Sequence, residues 1–165
     1  MKPFSILAAL ALGASSGECT VATDVPLGQP EAISFDRALL GSWSCVNSAT
    51  PEEAGPVHIY AFSDSEYYIQ AGPADDQGHM RGFGARVDGQ RFLNVQELGF
   101  ASPGAYSILG YNYPSSTTLR VRLAELPSGE QKPRTREAMR SFVRQALSAG
   151  ELFSADHWRC KRAES

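Results

Sequence analysis

Cysteine, histidine and carboxylate side chains are the groups in this sequence that could perform nucleophilic or metal chemistry. One cysteine stands in the stretch GSWSC, residues 41–45. In a strand, residues two apart point to the same face, so Trp43 and Cys45 would share one environment. A catalytic thiol needs a nearby base and an exposed, electropositive setting, which an apolar strand does not supply. We therefore expect Cys45 to be structural and assign no catalytic residue.

The histidines His58, His79 and His157 are too scattered to predict a metal site from their spacing. The loop sequence DDQGH, residues 75–79, combines carboxylates with an imidazole but lacks the ligand spacing of a calcium loop, which favours a solvated turn. The sequence contains no phosphate-binding, dinucleotide-binding or nucleophile-elbow motif. It therefore predicts a protein that is not an enzyme and needs neither metal nor cofactor.

Residues 1–18 have the features of a bacterial-type secretory signal. Lys2 precedes an apolar run of nine residues at 4–12, and small residues follow at 13–17. The run is far shorter than the roughly 20 residues that span a bilayer. We therefore expect a periplasmic or secreted protein. Its predicted organisation is a signal peptide at 1–18, a flexible leader at 19–40 and one folded domain at 41–162.

Export changes the interpretation of the three cysteines. In an oxidising compartment Cys45 and Cys160 are natural disulfide partners, which would tie the start of the domain to its end. The chain-entropy model gives such a long loop a stabilisation of about 4 kcal/mol. Cys19 is left over. It is a candidate lipidation site of the bacterial lipoprotein type, although Glu18 stands where a small residue is expected. The alternative is that Cys19 is removed with the signal or remains a free thiol.

Composition and charge are those of one ordinary globular domain: 165 residues, 42% apolar and 20% charged. Residues 20–130 hold 6 basic and 13 acidic side chains, whereas residues 131–165 hold 8 basic and 4 acidic ones. The net charge of −3 argues against a dedicated nucleic-acid binder. Arg136, Arg140 and Arg144 are spaced four apart and would share one helix face, which would meet solvent, an anionic membrane surface or an acidic partner.

Short runs rich in β-branched and aromatic residues, separated by turn residues, predict strands along most of the domain. They are 42–47, 57–63, 66–71, 80–87, 91–98, 105–113, 118–125 and 156–162. Asp88-Gly89 is typical of a type I′ hairpin turn. Residues 133–149 instead have the apolar spacing of a helix that ends at Gly150. The prediction is a mainly β fold: an antiparallel up-and-down barrel of about eight strands, with one C-terminal amphipathic helix before the last strand.

The motif Gly41-Ser42-Trp43 matches the G-x-W with which lipocalins open their first strand. With the short turn expected before it and the strands after it, the chain resembles a bacterial lipocalin-like (calycin-type) β-barrel protein. Family members commonly carry an arginine that packs against the signature tryptophan. An antiparallel pairing of the first and last strands, with Cys45 opposite Cys160, would place Arg162 opposite Trp43 for a cation–π contact. A parallel pairing would instead place Trp158 there.

The resemblance implies a barrel interior that binds a small apolar or amphipathic ligand without catalysis. An apolar lining with a few hydrogen-bonding groups is typical of such sites, and segment 92–98, FLNVQEL, mixes both kinds of side chain on each face. The candidate ligand-binding residues are Trp43, Tyr68, Phe92, Asn94, Gln96 and Tyr106. The alternative is a disulfide-tied barrel that acts through its loops, at 48–56 and 72–79, as an inhibitor of secreted hydrolases or as an envelope-assembly or scaffold protein.

Overall fold

The computed structural model describes residues 19–20, 22–99 and 104–163, and its main feature is a closed barrel of eight antiparallel strands. These strands are β2 Gly41–Asn47, β3 Gly55–Ala61, β4 Tyr67–Ala71, β5 Gly78–Val87, β6 Gln90–Glu97, β7 Tyr106–Ser115, β8 Thr118–Ala124 and β10 Phe153–Arg162. Two short strands, β1 Cys19–Thr20 and β9 Leu126–Pro127, pair with each other outside the barrel. The predicted fold class is confirmed.

The barrel is a meander in which each strand pairs with the next, and β10 closes the ring between β8 and β2. The tightest connection is Asp88-Gly89 between β5 and β6. Both residues have positive φ, 48° and 81°, as a type I′ turn requires. The short loops 62–66, 88–89 and 116–117 lie at one end of the barrel, because antiparallel strands alternate in direction.

The first and last barrel strands are joined by a disulfide. Cys45 pairs directly with Cys160 and Trp43 with Arg162, which is the antiparallel register that the sequence predicts. The Cα atoms of the two cysteines are 3.9 Å apart and their sulfurs are bonded. The bond closes the barrel covalently across 115 residues of chain.

Helix α1, Arg136–Ala149, packs on the outside of the barrel before β10. It begins three residues later than the predicted Pro133, because Thr135 is the N-cap: its hydroxyl accepts a hydrogen bond from the Ala138 N–H at 3.1 Å. It ends at Gly150, whose φ of 73° is the left-handed C-cap conformation. An outer core lies between the helix and the outward face of β5–β8; its buried members include Leu27, Ala85, Val87, Phe92, Ile108, Met139 and Val143.

Residues 22–40, which belong to the predicted leader, pack against the barrel in the structure. Leu27 is fully buried in the outer core, and its N–H donates to Asn94 Oδ1 at 2.7 Å. Two 3-10 turns follow, at Ala32–Ser34 and Arg37–Leu39. They close one end of the barrel, and residues 32–40 are called the plug below. The predicted signal peptide, 1–18, lies outside the described residues.

Candidate functional site

The barrel interior contains an apolar cavity of about 120 Å³. Its walls come from inward-facing residues of all eight strands, including Trp43, Cys45, Val57, Ile59, Ile69, Ala71, Met80, Leu93, Val95, Leu109, Leu119, Val121 and Trp158. Leu39, on the plug, forms the floor. Ser107 and Tyr111 are the polar side chains among the residues that line it, so the cavity offers a ligand dispersion contacts and almost no hydrogen bonding.

The plugged end of the barrel is held by Asp36. Its Oδ2 accepts hydrogen bonds from the hydroxyls of Tyr111 at 3.2 Å and Tyr113 at 3.1 Å, and lies 3.8 Å from Arg91 Nε. The Tyr67 hydroxyl donates to the Asp36 carbonyl and accepts from the Asp36 N–H. We call these five residues the Asp36 cage. It gives the polar tips of three inward-facing tyrosines a partner below the cavity.

Burial in the cage makes the tyrosines harder to ionise. Burial raises the pKa of Tyr67 to about 12, opposed by its backbone hydrogen bond with Asp36 and reinforced by the Asp36 charge. Burial also raises the pKa of Tyr111 and of Tyr113 well above the ordinary value, and the carboxylate of Asp36 adds to both shifts. All three hydroxyls are therefore neutral donors at physiological pH.

The close fit of the plug requires glycine on the inner wall. Gly84 faces Ser34, and a Cβ at position 84 would lie 2.1 Å from the Ser34 carbonyl oxygen. In the same plug, Phe35 stacks on the ring of Tyr67, which lies on the strand next to that of Gly84, with centroids 4.5 Å apart. The plug therefore fills its end of the barrel with backbone and one aromatic ring.

Arg162 covers Trp43 as the lipocalin-like pattern predicts. Its guanidinium carbon lies 4.2 Å from the Trp43 ring centroid. The same guanidinium donates to the carbonyls of Leu40 at 2.9 Å and Ala38 at 2.8 Å, while the Trp43 indole N–H donates to the Leu39 carbonyl at 2.9 Å. The signature tryptophan and its arginine thus fix the plug to the first and last strands.

The cavity is not sealed at the other end, where half-buried Val57, Leu109, Val121 and Trp158 stand among its lining. We call this the mouth. The strands leave it through the longer connections: residues 48–54, 72–77, 98–105 and the segment that contains α1. Because the plug fills one end of the barrel, the mouth is the route that the described residues offer a ligand into the apolar interior.

The structure separates the six predicted ligand-binding residues. Trp43 lines the cavity, but the other five point outward, since Leu93 and Val95 occupy the inner face of β6. Phe92 lies in the outer core. Asn94 is fully buried and holds the Leu27 N–H and, through its amide, the Phe83 carbonyl.

The remaining three predicted residues also contact groups outside the barrel. Tyr68 hydrogen-bonds His79 Nδ1 at 2.7 Å on the outer wall. Gln96 donates to the Gly104 carbonyl at 2.6 Å, and the Tyr106 ring meets the Phe83 ring edge-on, with centroids 5.9 Å apart. The structure therefore does not bring these residues together, because the alternation of β6 directs its purely apolar pair, Leu93 and Val95, inward.

The Asp36 cage is not predicted from the sequence. Asp36 lies 31 residues from Tyr67 and 75 from Tyr111 along the chain, and no short motif links them. The available signal was the tyrosines at 111 and 113, which share one face of a strand whose other face carries a glycine and an asparagine.

The arginine stripe of α1 makes contacts within the protein. Arg136 donates to the Gln29 side chain. Arg140 donates to the carbonyls of Leu27 and Arg86, and Arg144 pairs with Asp88 at 3.3 Å. These three arginines attach the helix to the N-terminal segment and to the barrel.

The described residues contain no group of three or more histidine, cysteine, aspartate or glutamate side chains that could hold a metal ion. No helix among them is long and apolar enough to cross a membrane. The Cys45–Cys160 disulfide is typical of proteins in an oxidising, exported compartment.

Comparisons with protein-family models, with curated proteins and with solved structures found no match to this chain. The barrel, with its plug and its Trp43–Arg162 contact, is consistent with a lipocalin-like fold.

Proposed function

We propose that this protein binds a small neutral apolar ligand, or the apolar end of an amphipathic one, in the barrel cavity and performs no catalysis. The observation that supports the proposal is the cavity of about 120 Å³, lined by apolar atoms and open at the mouth. A well-packed interior leaves few voids larger than a water molecule, so a void of this size is space that a ligand can fill.

The volume limits the ligand. An engineered apolar cavity of roughly 150 Å³ binds benzene or xenon, whereas drug-sized ligands occupy roughly 300–1,000 Å³. The cavity of about 120 Å³ therefore accommodates one small ring or a short stretch of acyl chain. The rest of a longer ligand would leave through the mouth beside Trp158.

We further propose a lipocalin-like identity and a periplasmic or secreted location. The G-x-W at Gly41-Ser42-Trp43, the 3-10 turns before it and Arg162 over Trp43 support the first. The disulfide supports the second. Lipid attachment at Cys19, the residue that follows the predicted signal peptide, belongs to the same proposal.

The test begins with native mass spectrometry of protein purified from its own host, which reports a bound ligand, the disulfide and any lipid together. Thermal unfolding of recombinant protein with benzene, indole and a short fatty alcohol then follows. A ligand present at 100 times its Kd stabilises the folded state by roughly 2.7 kcal/mol. We expect the smallest probes to raise the unfolding midpoint and bulky ones to have no effect.

Matched variants test whether the probes bind in the barrel cavity. Ala71→Leu fills part of the cavity, since Ala71 is buried in its wall, and should abolish the shift. Ala61→Leu makes the same change on the neighbouring strand at an exposed position outside the lining and should preserve it. Trp158→Ala widens the mouth and should admit larger rings. Equal shifts for all three variants, or no shift for any probe, would reject a cavity ligand and favour action through the loops.

A further inference from the structure

Five basic side chains stand together on the outer face of β8 and β10, and we call them the basic wall. They are Arg120, Arg122, His157, Arg159 and Lys161. They point outward because the alternating positions Leu119, Val121, Trp158 and Cys160 line the cavity. The chain as a whole carries a net charge of −3, so this local excess opposes the overall charge.

The strand register places two arginines of the wall directly opposite each other. Arg120 pairs with Arg159, and Arg122 pairs with His157. Like charges at directly opposed positions of an antiparallel pair destabilise the sheet. The Arg120–Arg159 pairing therefore does not stabilise the sheet.

Within the described part of the chain, three charges of the wall have no neutralising partner. Arg120, Arg159 and Lys161 are exposed, and their side chains make no hydrogen bond or ion pair with another described residue. The outward residues beside them on the flanking strands are uncharged: Asn112, Ser44 and Val46. The arginines of α1, in contrast, all contact protein partners.

Within the basic wall, the Arg122 side chain is held in place by the Phe153 ring. Its guanidinium carbon lies 4.1 Å from the Phe153 ring centroid, and the Phe153 ring fills the space in which a side chain at Gly110 would stand. Burial lowers the pKa of Arg122, and the neighbouring Arg120 charge lowers it further. A guanidinium stacked on a ring loses little conformational freedom when it binds a carboxylate.

We propose that the basic wall binds an extended acidic segment of a partner protein. Arginine forks match carboxylates in bidentate pairs. Side chains on one face of a strand repeat every roughly 6.6–6.8 Å, so alternate carboxylates of an extended segment match the spacing of Lys161, Arg159 and His157 along β10. A closed barrel offers no free strand edge, so the segment is held by side chains.

An anionic membrane fits the wall less well. The exposed large apolar side chains of the described residues are Ile33, Tyr60, Phe62 and Leu98, and none belongs to the wall. The wall therefore has nothing to insert below the headgroups, and its convex surface reaches few of them at once. Carboxylates on a flexible chain can instead follow the curvature of the barrel.

The test measures binding of a labelled peptide with four glutamates alternating with serines, by fluorescence anisotropy at low and high salt. We expect binding that weakens as salt rises. Arg120→Gln with Arg159→Gln should weaken it by about five- to tenfold, from the energies of exposed ion pairs. The matched control, Arg86→Gln with Arg134→Gln, removes the same charge at exposed positions elsewhere and should change it less than about twofold.

A second variant separates binding from folding. Arg159→Glu places opposite charges at the pair with position 120, so the unfolding midpoint should rise by about 1–4 °C while peptide binding is lost. If the two double glutamine variants weaken peptide binding equally, binding depends on net charge alone and the proposal is overturned. Phosphatidylglycerol vesicles that bind the protein while the peptide does not would overturn it in favour of a membrane.

Discussion

The two ends of the barrel are held together by different means. At the plugged end, Asp36 and Arg162 gather the tyrosine hydroxyls and the plug carbonyls into hydrogen bonds. Toward the mouth, the interior is apolar, and the Cys45–Cys160 disulfide joins the first strand to the last. The plugged end is therefore stabilised by hydrogen bonds between polar groups, and the open end is stabilised by a covalent bond.

The difference has a physical reason. A buried hydroxyl must find a partner, because an unsatisfied one destabilises the fold by about 1–3 kcal/mol. The Asp36 cage satisfies three of them by filling the space with the plug. Toward the mouth, the described lining is apolar apart from Ser107, so the void there loses mainly dispersion contacts and is available to a ligand.

Removing the Cys45–Cys160 disulfide should have the largest effect on the free energy of unfolding. Cys45→Ala with Cys160→Ala should lower the free energy of unfolding by about 4 kcal/mol, since the bond closes a loop of 115 residues. Urea unfolding measures it. Reductant should weaken the wild type to the same level and leave the double variant unchanged. A loss below about 1 kcal/mol would mean that the barrel does not depend on the bond.

Disrupting the Asp36 cage should have the next largest effect on the free energy of unfolding. Asp36→Ala removes the acceptor of Tyr111 and Tyr113 and the ion-pair partner of Arg91, so the free energy of unfolding should fall by about 3 kcal/mol. The matched control is Asp24→Ala. Asp24 also pairs with a cation, Lys132, but its side chain is 81% exposed, so the change should stay below about 1 kcal/mol. Equal losses in urea unfolding would contradict a structural role for the cage.

The fold was predictable because its signals are local. Asp88-Gly89 defined a hairpin, the alternation of β8 separated an inner from an outer face, and the change of period at α1 marked the helix. The closing register followed from the Cys45–Cys160 pair, since one fixed pair in an antiparallel ladder determines the others.

The site was less predictable because its contacts are long-range. Nothing in segment 92–98 shows that the N-terminal segment would cover Asn94 and turn a polar residue into a buried one on the outer face. Likewise, the plug residues become part of the interior only when the closed barrel brings Gly84 against Ser34. Both outcomes depend on tertiary packing of residues 22–40, whose own sequence lacks periodicity.

A more selective change sharpens the role of the arginine at the plugged end. Arg162→Lys keeps the charge but cannot donate to the carbonyls of Ala38 and Leu40 while stacking on Trp43. The free energy of unfolding should fall by about 1–2 kcal/mol, with a shift in tryptophan fluorescence. Lys161→Arg, one residue away on the outer face, is the control and should leave both unchanged. If Arg162→Lys leaves the free energy of unfolding and the fluorescence unchanged, the positive charge alone is enough to hold the plug.

The smallest effect is a pH dependence confined to the plugged end. The pKa of Tyr67 is raised to about 12 by burial, against 10.0 for the unfolded chain, so the folded state holds this proton more tightly. The stabilisation is complete below pH 10 and is lost as the pH rises toward about 12. Tyr67→Phe keeps the stacking on Phe35 but has no proton to lose. The fall of the unfolding free energy in alkali should therefore be shallower in this variant than in the wild type. If urea titrations show the same dependence of the unfolding free energy on pH in both proteins, Tyr67 is not the group responsible. The alkaline sensitivity would then come from groups outside the Asp36 cage.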